Sequence, residues 1–145
     1  MDDLIAKIIR DYFDQILQTM YQATLNITGF DQTVQSEWRQ VTPFFLRKIT
    51  LYLESGNLDE WKEVLTQLST VLTSQGIAYT SVIQAGLAAT QSLKQFLETK
   101  LQAMQLSGDS RAAATLERLE QRMRRFDAFN VAAMTNLGIS LSNEA

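Results

Sequence analysis

The chain of 145 residues contains neither cysteine nor histidine. Without cysteine it has no disulfide, no thiolate metal site and no cysteine nucleophile. Without histidine it lacks histidine-based catalytic triads, histidine zinc sites, ordinary haem ligation and phosphorelay through an imidazole. Carboxylate or Ser–Lys chemistry is still open in principle. The two absences together argue against an enzyme, and we expect no cofactor, haem included.

Positive charge and long apolar runs are also scarce. The net charge is -3 and the isoelectric point is about 4.9, which gives no bulk attraction to nucleic acid. No apolar run approaches the roughly 20 residues of a membrane span. Asp2 and Asp3 stand where a secretion signal would carry positive charge. We therefore expect a cytoplasmic protein with no nucleic-acid partner and no membrane span.

The residues that are present predict a single helical domain over 1–145. Hydrophobic residues make up 46% of the chain, which is typical of a folded core. Apolar residues recur at spacings of three and four throughout, and no alternating strand pattern occurs. The fold class we expect is all-α, a bundle of five to six helices with a long C-terminal helix.

Capping residues and glycines set the predicted helix boundaries. In chain order, the helices are expected from Asp2 or Asp3 to about Asn26, from Asp31 or Thr33 to Gly56, from Asn57 to about Gly76, from Ile77 to Leu106, and from Asp109 or Ser110 to about Leu141. Within the second of these, Thr42-Pro43 indicates either a kink or a break between two helices.

The stretch VIQAGLAATQSL, residues 82–93, places Gly86 inside a helix among alanines. A glycine there costs roughly 1 kcal/mol relative to alanine. Either another helix crosses closely at this point, or the small side chains leave room for a molecule that is not protein. On the second interpretation, the candidate apolar pocket is formed by Phe45, Tyr52, Tyr79, Ile83, Gly86 and Thr90.

The large aromatic residues outside the end helices allow the same two interpretations. At helical spacing most of them are expected in the core. If the chain has an apolar pocket, some of these aromatic residues are expected to line it instead. The set comprises Trp38, Phe44, Phe45, Tyr52, Trp61, Tyr79 and Phe96.

The last helix carries a heptad pattern. One seam position is occupied by Leu116, Met123, Asn130 and Leu137, and the other by Leu119, Phe126 and Ala133. The pattern fits an ordinary amphipathic helix that packs within its own domain. It equally fits a helix that pairs across a dimer, where a lone buried asparagine sets the register.

A dimer would also account for the first helix, whose apolar arc is wider than one packing surface needs. The candidate dimer interface consists of Ile5, Ile9, Leu116, Leu119, Met123, Phe126 and Asn130.

Three stretches together resemble the N-terminal sensor domain of RsbR-type stressosome proteins, which are haem-free relatives of the globins. They are LYLESGNLDEWKEVL, SQGIAYTSVIQAGLAATQSLKQFLETKL and RRFDAFNVAAMTNLGISL. The resemblance implies a globin-like fold, a homodimer, and a last helix (about 109–141) that leads to an output module. It also implies that the chain is an excised sensor domain or a free-standing relative. The absence of histidine agrees with a haem-free protein.

These observations lead to one principal expectation and two alternatives. The principal one is a non-catalytic regulatory sensor or scaffold module of a stress-signalling system. It would form a homodimer, bind an apolar small molecule, and transmit through its last helix to a downstream signalling domain or partner protein. The first alternative is a free-standing haem-free globin-like protein that binds a fatty acid, and the second is a ligand-free structural assembly module.

Overall fold

A computed structural model describes residues 3–27, 30–74, 76 and 79–144, and for some helical residues it describes the backbone alone. The described residues form an all-α bundle of six helices. These are α1 (Leu4–Asp11), α2 (Phe13–Ala23), α3 (Gln32–Ser55), α4 (Asp59–Ser74), α5 (Tyr79–Leu106) and α6 (Ala112–Glu144). The expected fold class, an all-α bundle with a long last helix, is therefore confirmed.

The predicted first helix is two helices rather than one. Asp3 caps α1, because its Oδ1 accepts hydrogen bonds from the backbone N–H of Ile5 (2.9 Å) and Ala6 (3.2 Å). Tyr12 then leaves the helical region, with φ −117° and ψ 25°. Hydrogen bonds from the Tyr12 N–H to the Ile8 carbonyl and from the Ile16 N–H to the Tyr12 carbonyl span the break. The apolar period therefore continues through it, which is why periodicity did not reveal it.

Helix α3 runs unbroken through Pro43, so of the two alternatives at Thr42-Pro43, a kink or a break between two helices, the break does not occur. Proline has no N–H, which leaves the carbonyl of Arg39, four residues earlier, without its helical donor. The Tyr21 hydroxyl from α2 donates to this carbonyl at 3.1 Å. The Thr42 hydroxyl donates to the Trp38 carbonyl. A tertiary hydrogen bond thus replaces the one that proline removes.

The first half of α6, up to Phe126, is part of the central core. The side chains of Leu119, Met123 and Phe126 are fully buried, and α6 packs most extensively against α5. Phe126 stacks on Tyr52 of α3 with ring centroids 5.3 Å apart. The Trp61 ring of α4 lies 4.9 Å from the same phenylalanine. One buried aromatic ring thus joins three helices.

Polar groups of α6 hold the C-terminal end of α3. The Tyr52 hydroxyl donates to the Arg122 carbonyl at 2.7 Å. In return, the Arg122 guanidinium donates to the Leu53 carbonyl, and Arg125 donates to the Gly56 carbonyl at 3.0 Å. The last carbonyls of a helix have no helical partner and carry partial negative charge, so cationic donors stabilise them. We call these contacts the α3–α6 clasp.

The clasp predicts unequal effects of two arginine substitutions on α6. Arg122→Met retains an apolar stem but leaves the Leu53 carbonyl without its donor, and should lower the free energy of unfolding by about 1–3 kcal/mol. Arg124→Met is the control, because Arg124 is exposed and pairs with Glu120 on the surface. It should cost about 0.5 kcal/mol or less. Urea denaturation measures both, and equal losses would contradict the role of the clasp.

Candidate functional site

A cavity of about 50 Å³ lies among α2, α3, α4, α5 and α6. Trp38, Phe45 and Trp61 supply aromatic walls. Gly86 and Thr90 contribute the small-residue face of α5, and α6 contributes Asn130 and Val131. The remaining lining residues are apolar apart from Thr42. Small-molecule sites have similar walls, apolar with a few polar groups, but their volumes are larger, about 300–1,000 Å³.

Gly86 borders open space and is not at a close helix crossing. A Cβ built on this glycine meets no heavy atom of the described residues within 4 Å. Ala85 and Ala89, on either side, are buried. The glycine therefore gains no packing energy that would offset its cost within α5. Of the two interpretations that the sequence allowed, the structure supports the cavity at this position.

The predicted pocket residues divide into three groups. Phe45, Gly86 and Thr90 line the cavity. Tyr52 does not, because its ring stacks on Phe126 and its hydroxyl belongs to the α3–α6 clasp. The side chains of Tyr79 and Ile83 lie outside the described residues.

Trp38 and Trp61 were expected mainly as core residues, and both line the cavity. The Trp61 indole N–H donates to Oδ1 of Asn130 at 2.7 Å. The Trp38 indole N–H is buried and has no hydrogen-bond partner among the described residues. Helical spacing alone did not distinguish a tryptophan in the core from one at a cavity wall. The sequence signal available for these two residues was the polar indole N–H of each tryptophan, because a buried indole N–H needs a hydrogen-bond acceptor.

Other polar side chains in the cavity wall are already hydrogen-bonded within the protein. The Thr42 hydroxyl donates to the Trp38 carbonyl, and the Thr90 hydroxyl donates to the Gly86 carbonyl at 2.7 Å. Asn130 accepts from Trp61. The described lining residues include no charged side chain. The described wall thus offers a ligand no counter-ion.

The candidate dimer-interface residues lie inside the chain's own core. The fully buried ones are Ile5, Ile9, Leu119, Met123 and Phe126. Leu116 is half-buried against the same core, and Asn130 bonds to Trp61 of the same chain. A helix that packs on its own domain shows the same three-and-four spacing as a dimer seam. The burial of these residues within the chain therefore corrects the predicted dimer interface. A second copy of the chain would have to contact another surface.

An apolar surface is exposed on α3. Phe44 and Leu51, seven residues apart, are 44% and 49% exposed. A groove of about 380 Å³ between α1 and α3 runs beside Leu51, and Arg47 and Glu54 also line it. The Arg47 guanidinium lies over the Phe13 ring, 5.5 Å from its centroid. We call Phe44, Arg47, Leu51 and Glu54 the α3 face.

The titratable groups with shifted pKa values lie outside the cavity wall. Burial raises the pKa of the Tyr52 hydroxyl, and Arg125 and Arg122 oppose the shift. Burial also raises the pKa of the Asp127 carboxyl, and Lys94 opposes that shift. No group of three or more acidic side chains suited to a metal ion occurs in the described ranges. The described wall of the cavity contains no titratable side chain.

Comparison of the chain with protein-family models, with curated proteins and with solved structures gave no match. None of the helices in the described part of the chain is long and apolar enough to cross a membrane.

The open space beside Gly86 predicts that Gly86→Ala stabilises the protein. Alanine gains helix propensity and meets no neighbour, so the free energy of unfolding should rise by about 1 kcal/mol. Gly108→Ala is a matched control, because Gly108 also has open space but a φ of +94°. There alanine should cost about 1–2 kcal/mol. Urea denaturation measures both, and a loss of stability in Gly86→Ala would show that this side of α5 is closely packed.

Proposed function

We propose that the protein is a non-catalytic regulatory sensor module, in which a small apolar molecule binds the cavity and α6 transmits the effect. The observation that carries the proposal is the cavity beside Gly86, at a helix position where glycine brings no packing benefit. Asn130 and Val131 place α6 in the cavity wall. A ligand in the cavity would therefore contact α6, the last and longest of the described helices, which ends at Glu144.

Coupling to α6 requires two arrangements that the ligand binds with different affinity. The Trp61–Asn130 hydrogen bond is a candidate for the element that changes, since it joins α4 to α6 at the cavity wall. A ligand that displaced either side chain would alter how α6 packs beyond Asn130.

The cavity volume limits the ligand. An apolar cavity of about 150 Å³ binds benzene. A cavity of about 50 Å³ fits a molecule of fewer non-hydrogen atoms unless the helices separate. A long fatty acid would need such an opening, and its carboxylate would find no cation in the described wall. The fatty-acid alternative is therefore less well supported than a small ligand.

The same small volume favours a second candidate function, a ligand-free assembly module. Protein interiors contain a few voids of about the size of a water molecule without any function. On this proposal the cavity is a packing defect, and the module acts only through its surfaces.

We extend the proposal to the stressosome setting that the resemblance implies. An RsbR-type sensor of a stress-signalling system would be globin-like, cytoplasmic and joined to an output domain or partner. It would be all-helical and would need no histidine to hold a haem. The all-α fold and the sequence composition support this proposal.

Xenon under pressure tests whether the cavity admits a ligand and whether α6 responds to it. Methyl NMR signals of Leu87 and Val131 at the cavity should shift and saturate, whereas Leu101, buried elsewhere in the core, should not respond. Amide hydrogen exchange in α6 beyond Asn130 should change with occupancy. Gly86→Leu, which extends a side chain into the open space, should abolish both responses.

Two results would contradict the sensor. An absence of cavity shifts would show that nothing enters, and would favour the ligand-free module. Saturating shifts with unchanged exchange in α6 would show binding without transmission.

We also propose that the protein is a homodimer formed through the α3 face. Arg47 and Glu54 lie one turn either side of Leu51, about 10 Å apart along the helix axis. An antiparallel pairing about a two-fold axis near Leu51 would place each Arg47 opposite the partner's Glu54, with the leucines at the centre. The face is thus complementary in charge to a second copy of itself.

Charge reversal tests this dimer. Arg47→Glu and Glu54→Arg should each weaken self-association about tenfold, because each creates two like-charge pairs across the axis. The double variant should recover it. An equimolar mixture of the two single variants should form heterodimers, since every cross-pair is then of opposite charge. Sedimentation velocity measures all four samples. A monomeric wild type, or a mixture that stays unassociated, would contradict the interface.

A further inference from the structure

The residues that line the cavity differ in exposure according to the helix that carries them. All the lining residues from α2, α3 and α4 are buried, and so are Ala89 and Thr90 of α5. The described lining residues that are partly or largely exposed all lie on α5 and α6. They are Gly86, Leu87, Asn130 and Val131, of which the last is 40% exposed. In the described part of the chain, the cavity therefore comes nearest to solvent between these two helices.

Gly86 provides a second, independent observation at the same place. It is partly exposed, and the position of its missing Cβ has no heavy atom of the described residues within 4 Å. No described side chain therefore fills the space beside α5 at the point where the cavity wall becomes exposed. A side chain at this position would narrow the gap between α5 and α6.

The four exposed lining residues differ in how freely they can move. Gly86 has no side chain, and the Asn130 side chain is held by the Trp61 indole N–H at 2.7 Å. The side chains of Leu87 and Val131 are apolar, so no hydrogen bond holds either of them. Exposed side chains change rotamer within picoseconds to nanoseconds. Leu87 and Val131 can therefore clear a passage without breaking a hydrogen bond.

We infer that a ligand enters the cavity between α5 and α6, through a mouth that the side chains of Leu87 and Val131 close. This inference rests on the proposed function, because it assumes that the cavity admits a ligand. It adds the route of entry, and it makes these two side chains, rather than the buried wall, the determinants of how fast the cavity fills and empties.

Thiol labelling can obstruct the mouth from the solvent side. The chain has no cysteine, so a single introduced cysteine is the one site of reaction with N-ethylmaleimide. Val131→Cys places the label on the α6 side of the mouth, and Leu87→Cys places it on the α5 side. Ala128→Cys is the matched control, because Ala128 is an exposed residue of α6 outside the cavity wall. The unlabelled form of each variant is its own reference.

Xenon is the probe, and the experiment measures rates and affinity separately. Saturation transfer of ¹²⁹Xe measures exchange, and methyl shifts of the buried lining residues Ile49 and Leu65 measure the Kd. The label on Val131→Cys or Leu87→Cys should slow entry and release about tenfold, with the Kd within about twofold, because it raises the barrier to passage rather than the energy of the bound state. The label on Ala128→Cys should change neither. Circular dichroism checks that each variant is folded, and either mouth variant alone is sufficient.

The outcomes separate this inference from the proposed function. If xenon does not shift the methyl signals of the wild type, the proposed function fails and this inference fails with it. If xenon binds but exchanges equally fast in the labelled and unlabelled mouth variants, the ligand enters elsewhere, and only this inference is overturned. A weaker affinity with an unchanged rate of entry also overturns it, because the label then occupies the cavity rather than obstructing its mouth.

Discussion

The position of α6 depends on hydrogen bonds that join it to the C-terminal end of α3. The carbonyls of Leu53 and Gly56 accept from arginines of α6, and the Tyr52 hydroxyl donates back to the α6 backbone. Helix ends always leave carbonyls that need donors, so this contact satisfies a requirement of α3 and orients α6 at the same time. With α6 held there, its next turns reach Trp61 and the cavity.

Polar groups that lack a local partner have two outcomes in this fold. The Arg39 carbonyl, which Pro43 leaves without a helical donor, accepts from the Tyr21 hydroxyl. Among the described residues, the buried atoms without a hydrogen-bond partner are Trp38 Nε1, Arg118 Nε and Asp127 Oδ1, and only the first belongs to a residue of the cavity wall. The feature that distinguishes the cavity is therefore the open space beside Gly86.

The sequence predicted the helices well because helix formation depends on local periodicity and caps. The prediction failed at Tyr12, where the helix breaks although the apolar period continues. At Pro43 the sequence left a kink and a break open. There α3 continues, and the Tyr21 hydroxyl of α2 supplies the donor that proline lacks. The heptad of α6 was ambiguous for a similar reason, since the same spacing serves a core helix and a dimer seam.

The sequence by itself determined an all-helical chain without imidazole or thiol, and a glycine at a costly position within a helix. These are local or compositional properties. Only the tertiary structure decided that the space beside Gly86 is open among the described residues, that Trp38 lines the cavity, and that the seam of α6 from Leu116 to Phe126 is turned inward. Voids and unpaired groups arise from residues distant along the chain, here from α2 to α6, and their positions follow from packing rather than from any local pattern.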